Sequence, residues 1–220
     1  MRLLVRSESP DCLALKNYEI NAFESLSPGQ KRAIWKSLIA MQDTFCAYCE
    51  KIIAKRNRQV EHFYPKGDSP DGVNTYECMT FDWSNLFGGC LASEHCGQHK
   101  DRDGELSPRP YSPSNLIKPD EHDPTLYFLF SPDGDIFLRD GLDAADVGRG
   151  EETMRVFNLN TPSLSDSRKS TISLFNLRLK AIFSIADDIP NEAFEEKISE
   201  LKNDITNSEH RTAVNSVLFG

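Results

Sequence analysis

The chain has 220 residues, of which 39% are hydrophobic and 27% charged, and its formal net charge at pH 7 is −9. This length and apolar content suffice for one compact body, and they exclude a chain that is disordered throughout. The acidic balance excludes a protein that coats nucleic acid through charge alone.

The first predicted helix follows an irregular start. Residues 1 to 26 show no clean hydrophobic period, so we expect irregular structure or short helix there. Ser27, Pro28 and Gln30 then form a capping-box pattern, which predicts a helix that runs to about Thr44. Its inward side would carry Ile34, Trp35, Leu38 and Met41.

A strand, a loop, a second strand and a short helix are predicted next. Residues 58–62 suit a strand, and Pro65, Gly67, Pro70 and Gly72 mark an open loop after it. Residues 81–83 lead into the second strand, and residues 96–102 suit the short helix.

The second half of the chain reads as a hairpin followed by helices. Residues 104–124 hold five prolines and suit an ordered loop or a boundary. A β-hairpin is predicted over 127–138, because Pro132-Asp133-Gly134 is strong turn chemistry. Residues 142–150 read as a second boundary. Helices are predicted over 151–159, over 164–186 and from near Pro190. The buried side of the second helix would carry Ile172, Phe175, Leu179, Ile182 and Phe183. The last helix has an acidic outer side. Its apolar side would either pack on the protein's own core or dock a partner.

Four of the six cysteines form two pairs, Cys46 with Cys49 and Cys90 with Cys96. Two such pairs can close one tetrahedral zinc site. The second pair has five intervening residues where two are commoner, so a nearby histidine could displace one thiolate. No stretch is apolar enough to span a bilayer and no signal peptide is evident, so we expect a cytoplasmic protein, where disulfides are rare. The other two thiols, of Cys12 and Cys78, are expected in the core.

Glu61 and His62 lie between the two cysteine pairs. A neutral imidazole can take a proton from water, and a carboxylate beside it can hold a catalytic cation. The pair therefore suits metal-assisted hydrolysis. Taken alone, the same two residues could also be an exposed carboxylate and a structural histidine.

The order of these motifs resembles that of the zinc-containing HNH endonucleases. It comprises the first cysteine pair, Glu61-His62 with Pro65 three residues on, Asn85-Leu86, the second cysteine pair and Lys100. That family carries a ββα-metal, or His-Me, finger. The segments QDTFCAYCE, VEHFYPKG and NLNTPSL, the last with Arg168, are similar to the PtuB branch, whose members are the HNH partners of PtuA ATPases in Septu and retron-associated anti-phage systems.

The resemblance implies a role for each site residue. His62 would be the general base, Glu61 would bind Mg²⁺ or Mn²⁺, and Asn85 would hold the two strands at their separation. The family's third motif residue, three before the lysine, falls on Gly97, which offers no ligand atom. By the resemblance His99 would substitute, with His95 or water as the alternatives.

Basic residues lead into the Glu-His step. From residue 31 to residue 66 the chain carries eight basic and three acidic side chains. In an arbitrary protein such a run is a solvated face, but beside this motif it is expected to hold phosphates. The expected phosphate contacts are Lys55, Arg56, Arg58, Lys66 and Lys100.

These features predict an α+β, mostly helical fold in which a zinc-containing ββα-metal finger is embedded between helical segments and a β-hairpin. Residues 1–45 would form an N-terminal helical segment and 46–104 the finger. Residues 105–220 would form a C-terminal hairpin and helical region packed on the same body.

The resemblance implies a metal-dependent HNH endonuclease that cuts nucleic acid, either phage DNA or an RNA such as tRNA, within an anti-phage complex. Its cofactors would be structural Zn²⁺ and catalytic Mg²⁺ or Mn²⁺. Its partners would be a PtuA-like ATPase and, in a retron, the reverse transcriptase and msDNA. A zinc-stapled adaptor that binds without cutting is the alternative. Thiol redox chemistry at Cys46 is disfavoured, because it needs neither the second cysteine pair nor the Glu-His step.

Overall fold

The computed structural model describes residues 1–67 and 75–220, and over these the fold is mixed and mainly helical. Part of the predicted loop, at Pro70 and Gly72, lies outside the described residues. The helices and strands, in chain order, are α1 (Asp11–Ala14), α2 (Pro28–Gln42), β1 (Arg58–His62), β2 (Leu86–Cys90), α3 (Cys96–Lys100), β3 (Phe128–Phe130), β4 (Ile136–Leu138), α4 (Ala144–Val156), α5 (Pro162–Phe183), α6 (Asn191–Thr206) and α7 (Arg211–Phe219).

Two antiparallel hairpins supply the strands. β1 pairs with β2 so that Glu61 faces Phe87 and His62 faces Leu86, and α3 packs on β2. The strand and short helix predicted over 58–62 and 96–102 are therefore present, the helix ending at Lys100. β3 and β4 form the second hairpin, as predicted from its turn sequence.

Helix α2 braces the first hairpin. The capping box is confirmed: the Ser27 side chain accepts from the Gln30 amide, and the Gln30 side chain accepts from the Ser27 amide. The helix ends at Gln42, two residues before the predicted end. The buried Gln42 amide donates to the Gly88 carbonyl and accepts from the Gly88 N–H, both at 2.8 Å. This pair of bonds ties the end of α2 to the middle of β2.

Residues 157–160 join the loop before α3 to the second hairpin. The Phe157 carbonyl accepts from the Cys96 N–H at 2.8 Å, and the Phe157 ring stacks on Tyr48 with ring centroids 4.2 Å apart. The Asn160 side chain bonds both the N–H and the carbonyl of Ile136 at 2.8 Å. The buried Arg168 of α5 donates to the Leu159 and Gly134 carbonyls. The NLNTPSL segment is thus a structural junction.

Three expectations for the helical half are wrong. Helix α4 starts at Ala144, inside the predicted boundary, because the Asp143 side chain caps it and because Gly150 allows close packing on β4. A Cβ atom on Gly150 would lie 2.3 Å from Leu138 Cδ2. Phe183, expected to be buried, is 59% exposed at the end of α5. The last helix was predicted to be α6, but α7 follows it and packs on α5.

The cysteines outside the two pairs also differ from expectation. Cys78 is exposed and Cys12 is half-buried, so neither belongs to the fully buried core. Among the described residues, no helix is both long and apolar enough to cross a membrane.

Candidate metal centre and active site

The two predicted cysteine pairs meet in one buried cluster. The Sγ atoms of Cys46, Cys49, Cys90 and Cys96 all lie within 4.8 Å of one another. Cys46 Sγ lies 3.8 Å from Cys96 Sγ, and Cys49 Sγ lies 3.9 Å from Cys90 Sγ. Four sulfurs placed tetrahedrally at zinc–sulfur bonds of about 2.3 Å would be about 3.8 Å apart. The cluster therefore has the size and chemistry to hold a metal such as zinc.

Full ionisation of the four thiols would require a cation. Burial raises the pKa of Cys49 and of Cys96, whereas hydrogen bonds from the other cysteines lower the pKa of Cys90. Several thiolates cannot stay charged in such a space without a compensating cation. The imidazole of His95 lies beside the cluster, with Nδ1 3.1 Å from Cys96 Sγ. His95 can donate to that sulfur while four cysteines remain as the ligand set.

Glu61 lies at the end of β1 and is 3% exposed. The Lys100 ammonium lies 3.1 Å from Glu61 Oε1, yet this oxygen makes no hydrogen bond of good geometry to the described residues. Burial raises the pKa of Glu61, an effect that the nearby Lys100 charge opposes without cancelling. A buried carboxylate oxygen without a full set of partners is suited to accept a cation.

Gly97 explains how Glu61 fits. A Cβ atom at position 97 would lie 2.0 Å from Glu61 Oε2, so the glutamate occupies the space where a side chain at position 97 would begin. A side chain at position 97 would therefore require the Glu61 carboxylate to move. The sequence shows the glycine at this position, but its relation to Glu61 depends on the fold.

His62 is neutral and oriented. Its Nε2 lies 3.0 Å from the Thr80 carbonyl, which fixes Nε2 as the protonated nitrogen and leaves Nδ1 as the acceptor. The Phe23 ring meets the imidazole edge-to-face, with centroids 4.6 Å apart. Burial lowers the pKa of His62 to about 4 although the Thr80 carbonyl favours the charged form. The imidazole is thus an unprotonated base at neutral pH.

Asn85 shapes the loop after β1. It is fully buried, its Oδ1 accepts from the Tyr64 N–H at 2.7 Å, and its Nδ2 donates to the carbonyls of Tyr64 and Met79 at 3.0 and 3.1 Å. The Phe63 N–H in turn donates to the Asn85 carbonyl. Asn85 therefore fixes the backbone on both sides of the site without a side-chain group left for chemistry.

Glu61 and His62 both line an open cavity of about 590 Å³. Its lining includes four charged residues that the sequence analysis did not predict, Asp101, Arg102, Asp103 and Arg109. Asp101 lies four residues after Gly97, on the same side of the α3 segment, and this spacing is the signal that could have found it. The cavity combines carboxylates, a neutral imidazole and basic side chains, which is a suitable lining for a phosphodiester.

His99 and Lys100 are among the predicted site residues that do not line this cavity. His99 Nδ1 contacts the Val156 carbonyl at 2.9 Å, and the side chain lines a separate cavity with Glu94 and Arg102. His99 therefore does not join Glu61 and His62. Lys100, predicted to contact phosphate, is fully buried instead, because its ammonium bonds the His62 carbonyl and Asp101.

The other predicted phosphate contacts lie before β1, at its start and after its end. Lys66 lines the cavity and pairs with Glu24. Arg58 starts β1, at the opposite end of the strand from His62, and its guanidinium lies over the Trp35 ring at 4.0 Å. Lys55 and Arg56 precede it and are exposed.

One curated protein is similar to this chain in sequence over most of its length. The chain is 28% identical over 173 residues to the "Retron Vc95 putative HNH endonuclease" of Vibrio cholerae serotype O1 biovar El Tor, an alignment that covers 77% of this chain and 76% of the relative. No protein-family model matches the chain. The similarity supports a nuclease of the HNH type and a retron context.

Proposed function

We propose that this protein is a metal-dependent HNH endonuclease that hydrolyses phosphodiester bonds of nucleic acid. One observation supports it above the others: the unprotonated imidazole of His62 and the carboxylate of Glu61 line the same open cavity. In this proposal β1, β2 and α3 form a ββα-metal finger, and the four cysteines hold a structural zinc.

The chain's own residues would act on a water molecule and a phosphate. His62 Nδ1 accepts the proton of the attacking water, because Nε2 is committed to the Thr80 carbonyl. Asn85 keeps the loop that carries this geometry in place. Lys66, Arg102 and Arg109 line the cavity, where cationic side chains can hold the phosphates that flank the scissile bond.

Glu61 would hold the catalytic Mg²⁺ or Mn²⁺. Such a cation, when bound, stabilises the charge that develops on the phosphate and on the departing oxygen. The burial of Glu61 fits that role, as does its Oε1, which lies 3.1 Å from the Lys100 ammonium but makes no hydrogen bond of good geometry to the described residues.

The biological setting is also part of the proposal. The name of the relative places that protein in a retron, and the order of the motifs in this chain resembles that of PtuB. Both points favour an effector of the PtuB type that works with a PtuA-like ATPase in anti-phage defence. The net charge of −9 supports a partner, because the nuclease alone would bind phosphate backbones weakly. Phage DNA and tRNA are both candidate targets, since phosphate contacts from the basic side chains of the cavity would not distinguish one base sequence from another.

The test is cleavage of plasmid DNA and of tRNA with Mn²⁺ or Mg²⁺ by the wild type and by His62→Ala. We expect the variant to keep its zinc and its thermal transition and to lose activity by roughly 10²- to 10⁴-fold, the usual contribution of a general base. Cleavage by His62→Ala at the wild-type rate would exclude the proposed base. Nucleic-acid binding by the wild type without cleavage of either substrate, with the ATPase present, would favour the adaptor.

A further inference from the structure

Two carboxylates share one buried ammonium at the edge of the cavity. Lys100 Nζ lies 2.6 Å from Asp101 Oδ1 and 3.1 Å from Glu61 Oε1. The lysine side chain is fully buried, so its charge is fixed between the two acids. The three groups together retain one negative charge when all are ionised. A site with that charge can still attract a divalent cation.

The two acids differ in exposure in a useful way. The Glu61 side chain is 3% exposed and the Asp101 side chain is 40% exposed, and both line the cavity. The buried Glu61 Oε1 lacks a hydrogen bond of good geometry to any described residue. An acidic pair that includes such an atom is more than a solvated cluster of charges.

We propose that Asp101 is a ligand of the catalytic cation together with Glu61, in place of the side chain that Gly97 lacks. The inference rests on the proposed function and names a residue that the HNH pattern does not. Glu61 fills the space next to Gly97, so the second ligand comes from Asp101, one turn further along the α3 segment. Lys100 then positions both carboxylates before the cation binds.

The test is Mn²⁺ binding, measured by calorimetry or by electron paramagnetic resonance on protein that retains its zinc. Asp101→Asn is expected to weaken Mn²⁺ binding by roughly tenfold or more, the scale on which loss of a metal-site partner acts. Asp103→Asn is the matched control, because Asp103 lines the same cavity but its side chain is 90% exposed and paired with Arg109. This control is expected to bind Mn²⁺ like the wild type.

Asp101→Glu is a second control, because it keeps the negative charge that pairs with Lys100. It tests whether Asp101→Asn loses Mn²⁺ binding only because its fold is disturbed. We expect it to bind Mn²⁺ more tightly than Asp101→Asn. Wild-type affinity in Asp101→Asn, or an equal loss in Asp101→Asn and Asp103→Asn, would overturn the assignment, as would a wild type that binds no Mn²⁺.

The proposed function fails by a different result. If the wild type binds Mn²⁺ and Asp101→Asn does not, but neither DNA nor tRNA is cut, the cation site is supported and the nuclease proposal is contradicted.

Discussion

Gly97 packs directly against the carboxylate of Glu61, so that a β-carbon at position 97 would lie 2.0 Å from Glu61 Oε2. The two positions are therefore coupled, because a side chain at position 97 would require the Glu61 carboxylate to move.

Gly97→Ala should displace Glu61 and lower both stability and Mn²⁺ affinity. Overpacking of a buried site costs roughly 1–3 kcal/mol of unfolding free energy. The double variant Glu61→Asp with Gly97→Ala should recover part of the loss, because aspartate is one methylene shorter. Urea denaturation and Mn²⁺ titration of the two single variants and the double variant measure this coupling.

The matched control for that experiment is Gly148→Ala in α4. An added Cβ there meets no atom within 4 Å, and removing a helical glycine should raise stability by roughly 0.5–1 kcal/mol. Strictly additive effects of Glu61→Asp and Gly97→Ala would contradict the steric coupling.

Cys49→Ser should abolish zinc binding and the cooperative unfolding transition. The four buried thiols form one cluster, and a structural metal of this kind supplies free energy of folding directly. Zinc content by elemental analysis and thermal unfolding by circular dichroism are the measurements. Cys78→Ser, at an exposed position, should retain both zinc and the transition. A strong chelator added to the wild type should reproduce the Cys49→Ser result.

Asn85→Asp should destabilise the loop after β1. The substitution keeps the acceptor for the Tyr64 N–H but places an oxygen against the carbonyls of Tyr64 and Met79. Unsatisfied buried groups of this kind should cost roughly 2–4 kcal/mol of unfolding free energy. Asn115→Asp, at an exposed position, should change it by about 0.5 kcal/mol or less. Equal effects in urea denaturation would count against the role assigned to Asn85.

Acid should destabilise the protein partly through His210. Its Nδ1 donates to the Cys49 carbonyl, its Nε2 accepts from the Ser167 hydroxyl, and burial lowers its pKa to about 4. The unfolded chain, with an ordinary histidine pKa of about 6.5, takes up a proton first as the pH falls, so stability is lost between about pH 6.5 and pH 4.

For this histidine the loss between pH 7 and pH 5 amounts to about 2 kcal/mol of unfolding free energy. His210→Gln should be less stable than the wild type at pH 7 but should lose less stability on acidification. Urea denaturation at the two pH values gives both quantities. Parallel pH dependence in variant and wild type would show that His210 does not contribute.

Local sequence signals predicted the elements that depend on chain neighbours. The capping box at Ser27 and the turn at Asp133-Gly134 are determined by short-range hydrogen bonding and dihedral preference, whereas strand 58–62 is completed by pairing with the distant β2. The cysteine cluster was predictable because two thiol pairs have few ways to satisfy one metal.

Long-range packing determines the features that the sequence analysis did not predict. Lys100 is buried because two acids from different elements surround it, and His99 faces α4 because the Val156 carbonyl accepts from it. The start of α4 was missed because its two glycines lower helix propensity, while contact with Leu138 favours one of them, Gly150. The contacts of Lys100 with Glu61, of His99 with Val156 and of Gly150 with Leu138 each join residues that are distant in the chain.

The bond between the Cys96 N–H and the Phe157 carbonyl limits how the protein can be dissected. A fragment cut after residue 104 would keep every cysteine of the cluster but would lose this acceptor and the ring that stacks on Tyr48. The metal-binding segment is therefore not expected to keep its structure when it is excised from the rest of the chain. Transplanting it into another scaffold would require carrying the chain at least through Phe157.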